Sequence, residues 1–474
     1  MVIKGFDMDY AWLIIFSCSV MQALCSTILS LGIAVPLAHF FYRFNFFGKH
    51  FWLSLVPLLC IMPTKLVGLA ISKFYGLQGF FGIILGHGML NIPFCFYLLQ
   101  GTYAKFDHRW DLVAQQHGAS PWQCYSDIYL PFLRPTIIAA ASIIFVLCFS
   151  SVALPMVLGV AMHHMTPDVT IANLYHTDDW YGAGFFFVIR LLVVLPISMV
   201  ETHGAKSAWL SHDSMAYASV QYKPRKHGYG WLLLCLTAVV LTIGPLCALL
   251  VAMANGAVAN FLRQIFVGDV DLILGVPVYR VIFNSLFLAL VSSGGAVIVG
   301  LVLCEIMQRV QHSTSKKLVA LCTMLPCLVG SVGCGIFFVW IARAPVLSMA
   351  MVAVLCHMVL NYPFTYRIVK AHMVGWQSEW ELTARSFGAT RLQRWQTLEL
   401  PFLRGALWQA FYIAFGLSLT EVGAGSVLGG AAGITLPMAI KIYREHGVMD
   451  GVMGLSFVVL FVGTVGGLLV IRMG

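Results

Sequence analysis

The sequence predicts an all-α integral membrane protein with about 11 transmembrane helices in two parallel repeats. Three observations carry that expectation. The 474 residues are 60% apolar and only 10% charged, with a mean hydropathy of +0.87, which lies far outside the soluble globular range. The apolar residues are gathered into runs of about 20, the length a helix needs to cross a bilayer. The pentapeptide "LPFLR" occurs at 130–134 and again at 400–404.

In chain order the apolar runs fall at 11–41, 51–72, 81–103, 136–160 and 181–201. The first is too long for the apolar region of a cleaved signal and has only Lys4 before it, so it reads as a retained span. A polar segment, "HGAKSAWLSHDSMAYASVQYKPRKHG", follows the fifth run. Beyond it, further runs fall at 229–255, 279–307, 317–342, 346–370, 406–428 and 449–471. The expected division is therefore a first module over 1–228 with five spans and a second over 229–474 with six.

Lys and Arg exceed Asp and Glu by nine, and their placement explains the excess without nucleic acid. Arg43, Lys49, Lys105, Arg109, Arg134, Lys316, Lys317, Arg385, Arg391, Arg394 and Arg404 fall on the side that carries both "LPFLR" copies. By the positive-inside rule that side is cytoplasmic, with the N-terminus outside and the C-terminus inside. The basic residues of these loops read as topology determinants. Thirteen cysteines are scattered without a CxxC pair or a Cys/His cluster, many within apolar runs such as "CLVGSVGCG". Neither a disulfide framework nor a metal site is expected.

The pentapeptides close a longer repeat. "HGMLNIPFCFYLLQ" (87–100) aligns with "HMVLNYPFTYRIVK" (357–370) at an offset of 270, pairing His87 with His357, Asn91 with Asn361 and Pro93 with Pro363. The register continues without a gap through "WDLVAQQHGASPWQCYSDIYLPFLRP" (110–135) and "WELTARSFGATRLQRWQTLELPFLRG" (380–405). Farther on, "TIANLY" (170–175) resembles "TLPMAIKIY" (435–443). The two copies share order and charge-derived orientation, so they are expected to be parallel repeats about an axis along the membrane normal.

Each polar segment can be built as a short helix ending near a glycine, a turn, and a second amphipathic stretch closed by Leu130-Pro131 or Leu400-Pro401. Ala114 and Gly118, like Ala384 and Gly388, stand four apart and give each short helix a smooth small-residue face. Proline has no amide proton and fixes its own φ, so Pro131 and Pro401 are expected to mark where the loop meets the next span.

The spacing Ala-x3-Gly-Ala (Ala114, Gly118, Ala119; Ala384, Gly388, Ala389), then ten residues from the glycine to an aliphatic, then Leu-Pro, resembles the EAA loop of binding-protein-dependent ABC importer permeases. The chain departs from the pattern in one respect: the acids Asp111 and Glu381 stand seven before the glycine rather than six. The segments "SVMQALCSTILSLGIAVPLAHFFYRFNFFGKH", "YGLQG", "LNIPF" and "IFVLCFSSVALP" further resemble fused thiamine-type permeases, with ferric-iron permeases sharing the layout. The resemblance implies a type I importer fold in a bacterial inner membrane and coupling through the two loops to a cytoplasmic ABC ATPase homodimer. It also implies a periplasmic solute-binding protein and uptake of thiamine or its phosphates. ATP and Mg would bind the ATPase, and this chain would hold no cofactor.

Other classes lack their residues. No GxxxxGK[ST], HExxH or GxSxG occurs, so no hydrolytic centre is expected in this chain. A secondary transporter would need ionisable relays in both halves, and within the spans only Glu421 and Arg190 are available. Four residues are candidates for the solute pathway: Glu421, its repeat partner Ser151, and Asn91 and Asn361, each two residues before a span proline. For Glu421 the alternative is a structural carboxylate paired with Arg190, Lys441 or Arg444, or wet at the outer rim. For the asparagines it is capping of a proline-induced helix break. His87 and His357 read as core histidines.

Overall fold

The protein is described from a computed structural model covering residues 8–46, 64–103, 106–107, 109–160, 164–210, 270–310, 313–342, 348–373, 378–429 and 433–473, together with Lys49, Leu53 and Phe261. The chain divides into two compact units, Met1–Asn255 and Gly256–Gly474. The expected boundary at 228/229 falls earlier, within residues 211–260, which lie outside the described residues.

In the first unit the helices are α1 (Met8–Arg43), α2 (Thr64–Ala70), α3 (Gly79–Tyr103), α4 (Arg109–Gln116), α5 (Pro121–Cys124), α6 (Leu130–Phe149), α7 (Ala153–Leu158), α8 (Pro167–His176) and α9 (Trp180–Leu210). In the second they are α10 (Val278–Arg309), α11 (Ser313–Ala342), α12 (Met349–Met373), α13 (Ser378–Ser386), α14 (Arg391–Arg394), α15 (Leu400–Thr420), α16 (Gly423–Leu428), α17 (Leu436–Glu445) and α18 (Met449–Met473). Helix n of the first unit thus has helix n+9 as its counterpart. The spans among these are helices because backbone groups in hydrocarbon must be satisfied within their own segment.

Among the described residues nine helical segments are long and apolar enough to cross a membrane. The expected spans at 51–72 and 229–255 fall wholly or largely outside the described residues. Within the first unit α1, α3 and α6 pack on one another, α9 lies along α6 and α8, and α7 packs on α2. Within the second, α10, α12 and α15 form the same trio, α18 lies along α15 and α17, and α16 packs on α11.

The backbone corrects several of the expected boundaries. The expected spans at 136–160 and 406–428 are each a helix that stops, at Phe149 or Thr420, and a separate short helix, α7 or α16. Helix α11 is interrupted at Gly330, whose φ of 75° and ψ of 170° break the ladder. Pro131 and Pro401 do not divide loop from span: one helical run passes through them, from Pro121 to Phe149 and from Arg391 to Thr420. A π turn precedes each proline, Tyr125–Tyr129 and Trp395–Glu399, with the Leu130 and Leu400 amides donating to the carbonyls of Tyr125 and Trp395. Widening the ladder by one residue accommodates a ring that can neither donate nor tolerate the carbonyl four residues back.

Candidate functional site

The paired polar loops fold into one small device twice. Helix α4 ends in a Schellman turn: the Ala119 amide donates to the Ala114 carbonyl at 3.0 Å and the Gly118 amide to Gln115 at 3.0 Å. In α13 the Ala389 amide donates to Ala384 at 3.0 Å and the Gly388 amide to Arg385 at 2.9 Å. Gly118 and Gly388 have φ of 80° and 76°, where a β-carbon is strained, although open space surrounds each position. The glycines are therefore set by the turn and not, as their spacing suggested, by a smooth packing face. Ala114 and Ala384 are the residues at which the six-residue turn closes.

A capping box opens the next helix. Ser120 Oγ accepts the Gln123 amide at 3.3 Å while the Ser120 amide donates to Gln123 Oε1 at 2.8 Å. Thr390 and Gln393 repeat it at 3.4 and 2.8 Å. Its signature, S/T-x-x-Q, stands in both copies as "SPWQ" and "TRLQ".

What these turns display is apolar. Trp110 is 65% exposed, Leu112 42% and Trp122 71%, and their counterparts 270 residues on, Trp380, Leu382 and Leu392, are 41%, 62% and 64% exposed. Large apolar side chains repeated at the same three places on an otherwise polar loop mark a surface made to be covered. Leu130 and Leu400, with the prolines after them, begin the helices that lead away from it.

The acids face their own units. Asp111 is buried, accepts from Gln115 Nε2 at 2.9 Å, and faces the Cys124 thiol and the Tyr129 phenol. Glu381 is paired with Arg385 at 2.5 Å and Arg394 at 3.8 Å. Arg394 Nη1 also donates to the carbonyl of Ala389, the last residue of the Schellman turn. Both acids brace the loop from beneath, where the resemblance alone would have turned them toward a partner chain.

Each solute-pathway candidate is described within its own unit. Glu421 ends α15 and turns its carboxylate onto the start of α16, where Oε1 accepts the amides of Gly423 at 2.7 Å and Ala424 at 3.2 Å. Ser331, the first residue past the break in α11, lies alongside: a β-carbon on Gly423 would collide with its Oγ. The expected cationic partners are placed otherwise, Arg190 on Asp168 at 2.7 Å and Lys441 on Glu445 at 3.9 Å. Ser151 occupies the matching break before α7, where its carbonyl accepts from Thr166 Oγ1 at 2.5 Å.

Asn91 and Asn361 are buried in helices that run unbroken past Pro93 and Pro363, so neither caps a break. Asn91 donates to Cys148 Sγ at 3.3 Å, joining α3 to α6. The buried pair of Asp168 with Arg190, which also reaches Ser150 Oγ at 3.0 Å, was half-legible: Arg190 in an apolar run demanded a partner, but nothing nearby named Asp168.

An all-α, multi-span fold built twice, with a matching exposed loop in each copy, is the arrangement expected of a translocation subunit, a permease of the type I ABC importer class. No family model matches the chain. It is 23% identical over 475 residues to the thiamine transport system permease protein ThiP of Salmonella typhimurium, covering 93% of this chain and 84% of that protein. The ThiP of Haemophilus influenzae is 22% identical, with 92% and 83% covered. A probable sulfate transport system permease protein, cysT of Prototheca wickerhamii, is 25% identical over 174 residues, 33% of this chain and 68% of that one. The chain is a fused, two-module permease that resembles the thiamine-type permeases over almost its whole length.

Proposed function

We propose that the chain is the inner-membrane permease of an ATP-driven importer that receives thiamine or a thiamine phosphate from a periplasmic binding protein and passes it to the cytoplasm. A separate ABC ATPase homodimer, carrying ATP and Mg, drives the cycle by seating on the two loops. The observation that carries the reading is the repeated loop, with the same Schellman turn, capping box and three exposed apolar positions in each unit. Two equal knobs suit a partner with two equal clefts, and the relatives' names supply the solute. Glu421 Oε1 accepts the amides that begin α16, which supports a structural role for that carboxylate.

The test charges the apolar surface without touching the turn. Trp122→Arg with Leu392→Arg should abolish co-purification of the ATPase, since each buried anchor at an interface contributes about 2 kcal/mol or more, roughly 30-fold in affinity. Melting of the variant in detergent should match the parent, because both side chains are exposed. Retention of the ATPase at parental affinity would overturn the reading. Uptake of labelled thiamine by proteoliposomes holding all three components, with ferric ion as the competitor, tests the solute.

A further inference from the structure

At the end of each loop-bearing helix away from its loop, buried polar side chains meet at positions that repeat at the offset of 270, although the residue types change. In the first unit the Gln22 amide of α1 donates to the Cys148 carbonyl of α6 at 2.9 Å, and its Oε1 faces His87 Nδ1 of α3 at 3.1 Å. In the second, His357 Nδ1 of α12 meets Ser418 Oγ of α15 at 2.8 Å, and Ser418 meets Ser292 Oγ of α10 at 3.0 Å. Positions 22, 87 and 148 become 292, 357 and 418. All six residues are buried.

The chemistry fixes the direction of the first contact. An amide oxygen only accepts, so His87 must carry its proton on Nδ1 and donate, leaving Nε2, which has no hydrogen-bond partner, as a bare acceptor. Gln22 in the first unit and Ser418 in the second thus each join three helices, with a histidine as one of the two partners. Lipid gives apolar packing little preference for one register over another, whereas a buried hydrogen bond has a single geometry.

We propose that these triads are positioning clasps for transport: they lock the loop-bearing helix to the other two members of its trio, so that a push on the loop moves three helices together and not one. The proposal rests on the reading of the loops as ATPase seats. It names no contact with solute; His87, His357 and Ser418 would act through the rigidity of the trio.

The experiment uses the full complex, with ATPase and binding protein, in proteoliposomes, and reads solute imported per ATP hydrolysed. Ser418→Ala removes the hub of the second triad at nearly constant volume, and His87→Leu and His357→Leu each remove one of a triad's two contacts. Loss of a clasp should lower the ratio about three- to tenfold, the factor that corresponds to one hydrogen bond inside a membrane protein. ATPase co-purification should be unchanged. His87→Asn places an amide donor where Nδ1–H stood and should recover the ratio. A variant that keeps its fold and ATPase yet imports at the parental ratio overturns the clasp, as does a His87→Asn that behaves like His87→Leu. Should the parent complex itself fail to hold the ATPase, the fault lies with the loop assignment and not with the clasp. If the leucine variants do not fold, Ser418→Ala decides alone by the same ratio.

Discussion

The two loops share a wiring diagram and differ in what flows through it. In each, the acid of the short helix accepts from the residue four positions on and faces the residue thirteen positions on. In the first loop these are Gln115 and Cys124, neutral groups around a buried Asp111. In the second they are Arg385 and Arg394, two guanidinium groups around a half-exposed Glu381. The first loop is also floored by rings: Tyr129 lies 4.7 Å from Phe106 and 4.9 Å from His39, and His39 Nδ1 meets Tyr103 Oη at 3.0 Å. One backbone knob is therefore held by desolvated packing in one unit and by solvated ion pairs in the other. The backbone turn is what both copies keep; the means of holding it is free to differ.

The contrast is larger, and reversed, at the opposite ends of the helices. There Asp168, in the first turn of α8, and Arg190, in α9, form a pair of which each side chain is 1% exposed. Counting from the helix caps Thr166 and Thr435, the matching places in the second unit hold Pro437 and Val459, both buried and apolar. Removing one member of such a pair strands a charge, at a cost of about 3–5 kcal/mol, whereas an apolar replacement of both is far milder. Arg190→Leu should therefore lower the detergent melting midpoint more than any single substitution in the loops, and Asp168→Leu with Arg190→Leu should recover part of it. A midpoint unmoved by Arg190→Leu would mean that the two units are held alike.

At the loops the contrast predicts a difference in salt response. Asp111→Leu leaves the buried donors around it unmatched, which costs about 1–3 kcal/mol and owes little to ionic strength. Glu381→Leu breaks a close pair that water screens, with Arg385 58% exposed, and a longer one at 3.8 Å to Arg394, 13% exposed, so about 1 kcal/mol is at stake. At about 1 M salt the screening length shrinks to roughly 3 Å, and the second effect should vanish while the first persists. Melting of both variants at low and high salt measures this. Equal salt slopes would erase the distinction between the two floors.

Most of the span order and the whole repeat were legible because each rests on a local property, run length or a fixed offset. The short helix and the glycine end of each loop were legible for the same reason, whereas the Leu-Pro closure was not, since one helical run passes through Pro131 and Pro401. Less visible were features that depend on what lies across the fold. Glu421 as the cap of α16 needed the break at Thr420, which an unbroken apolar run conceals. The inward turn of Asp111 and Glu381 needed knowledge of what stands thirteen residues on. His87 and His357 were read as ordinary core residues, yet Gln22, which meets His87, and Ser292, which meets His357 only through Ser418, also stand at the offset of 270, and tabulating buried polar residues at that offset would have exposed the triads.

The smallest effect is the one that should be equal in both loops. Ser120→Ala and Thr390→Ala each remove one side of a capping box, for which about 1 kcal/mol is expected. Both caps are solvent-facing with near-identical geometry, 3.3 and 3.4 Å from hydroxyl to the third amide, so neither the aromatic floor nor the ion pairs should alter the value. Hydrogen exchange at the Gln123 and Gln393 amides, which these hydroxyls protect, reads each cap directly, and the two should speed up by the same factor, about fivefold. A larger rise at Gln393 would show that the ion pairs beneath the second loop depend on the cap above them. The turn and its support would then be one cooperative unit there, and the independence of backbone knob from side-chain floor would hold only in the first unit.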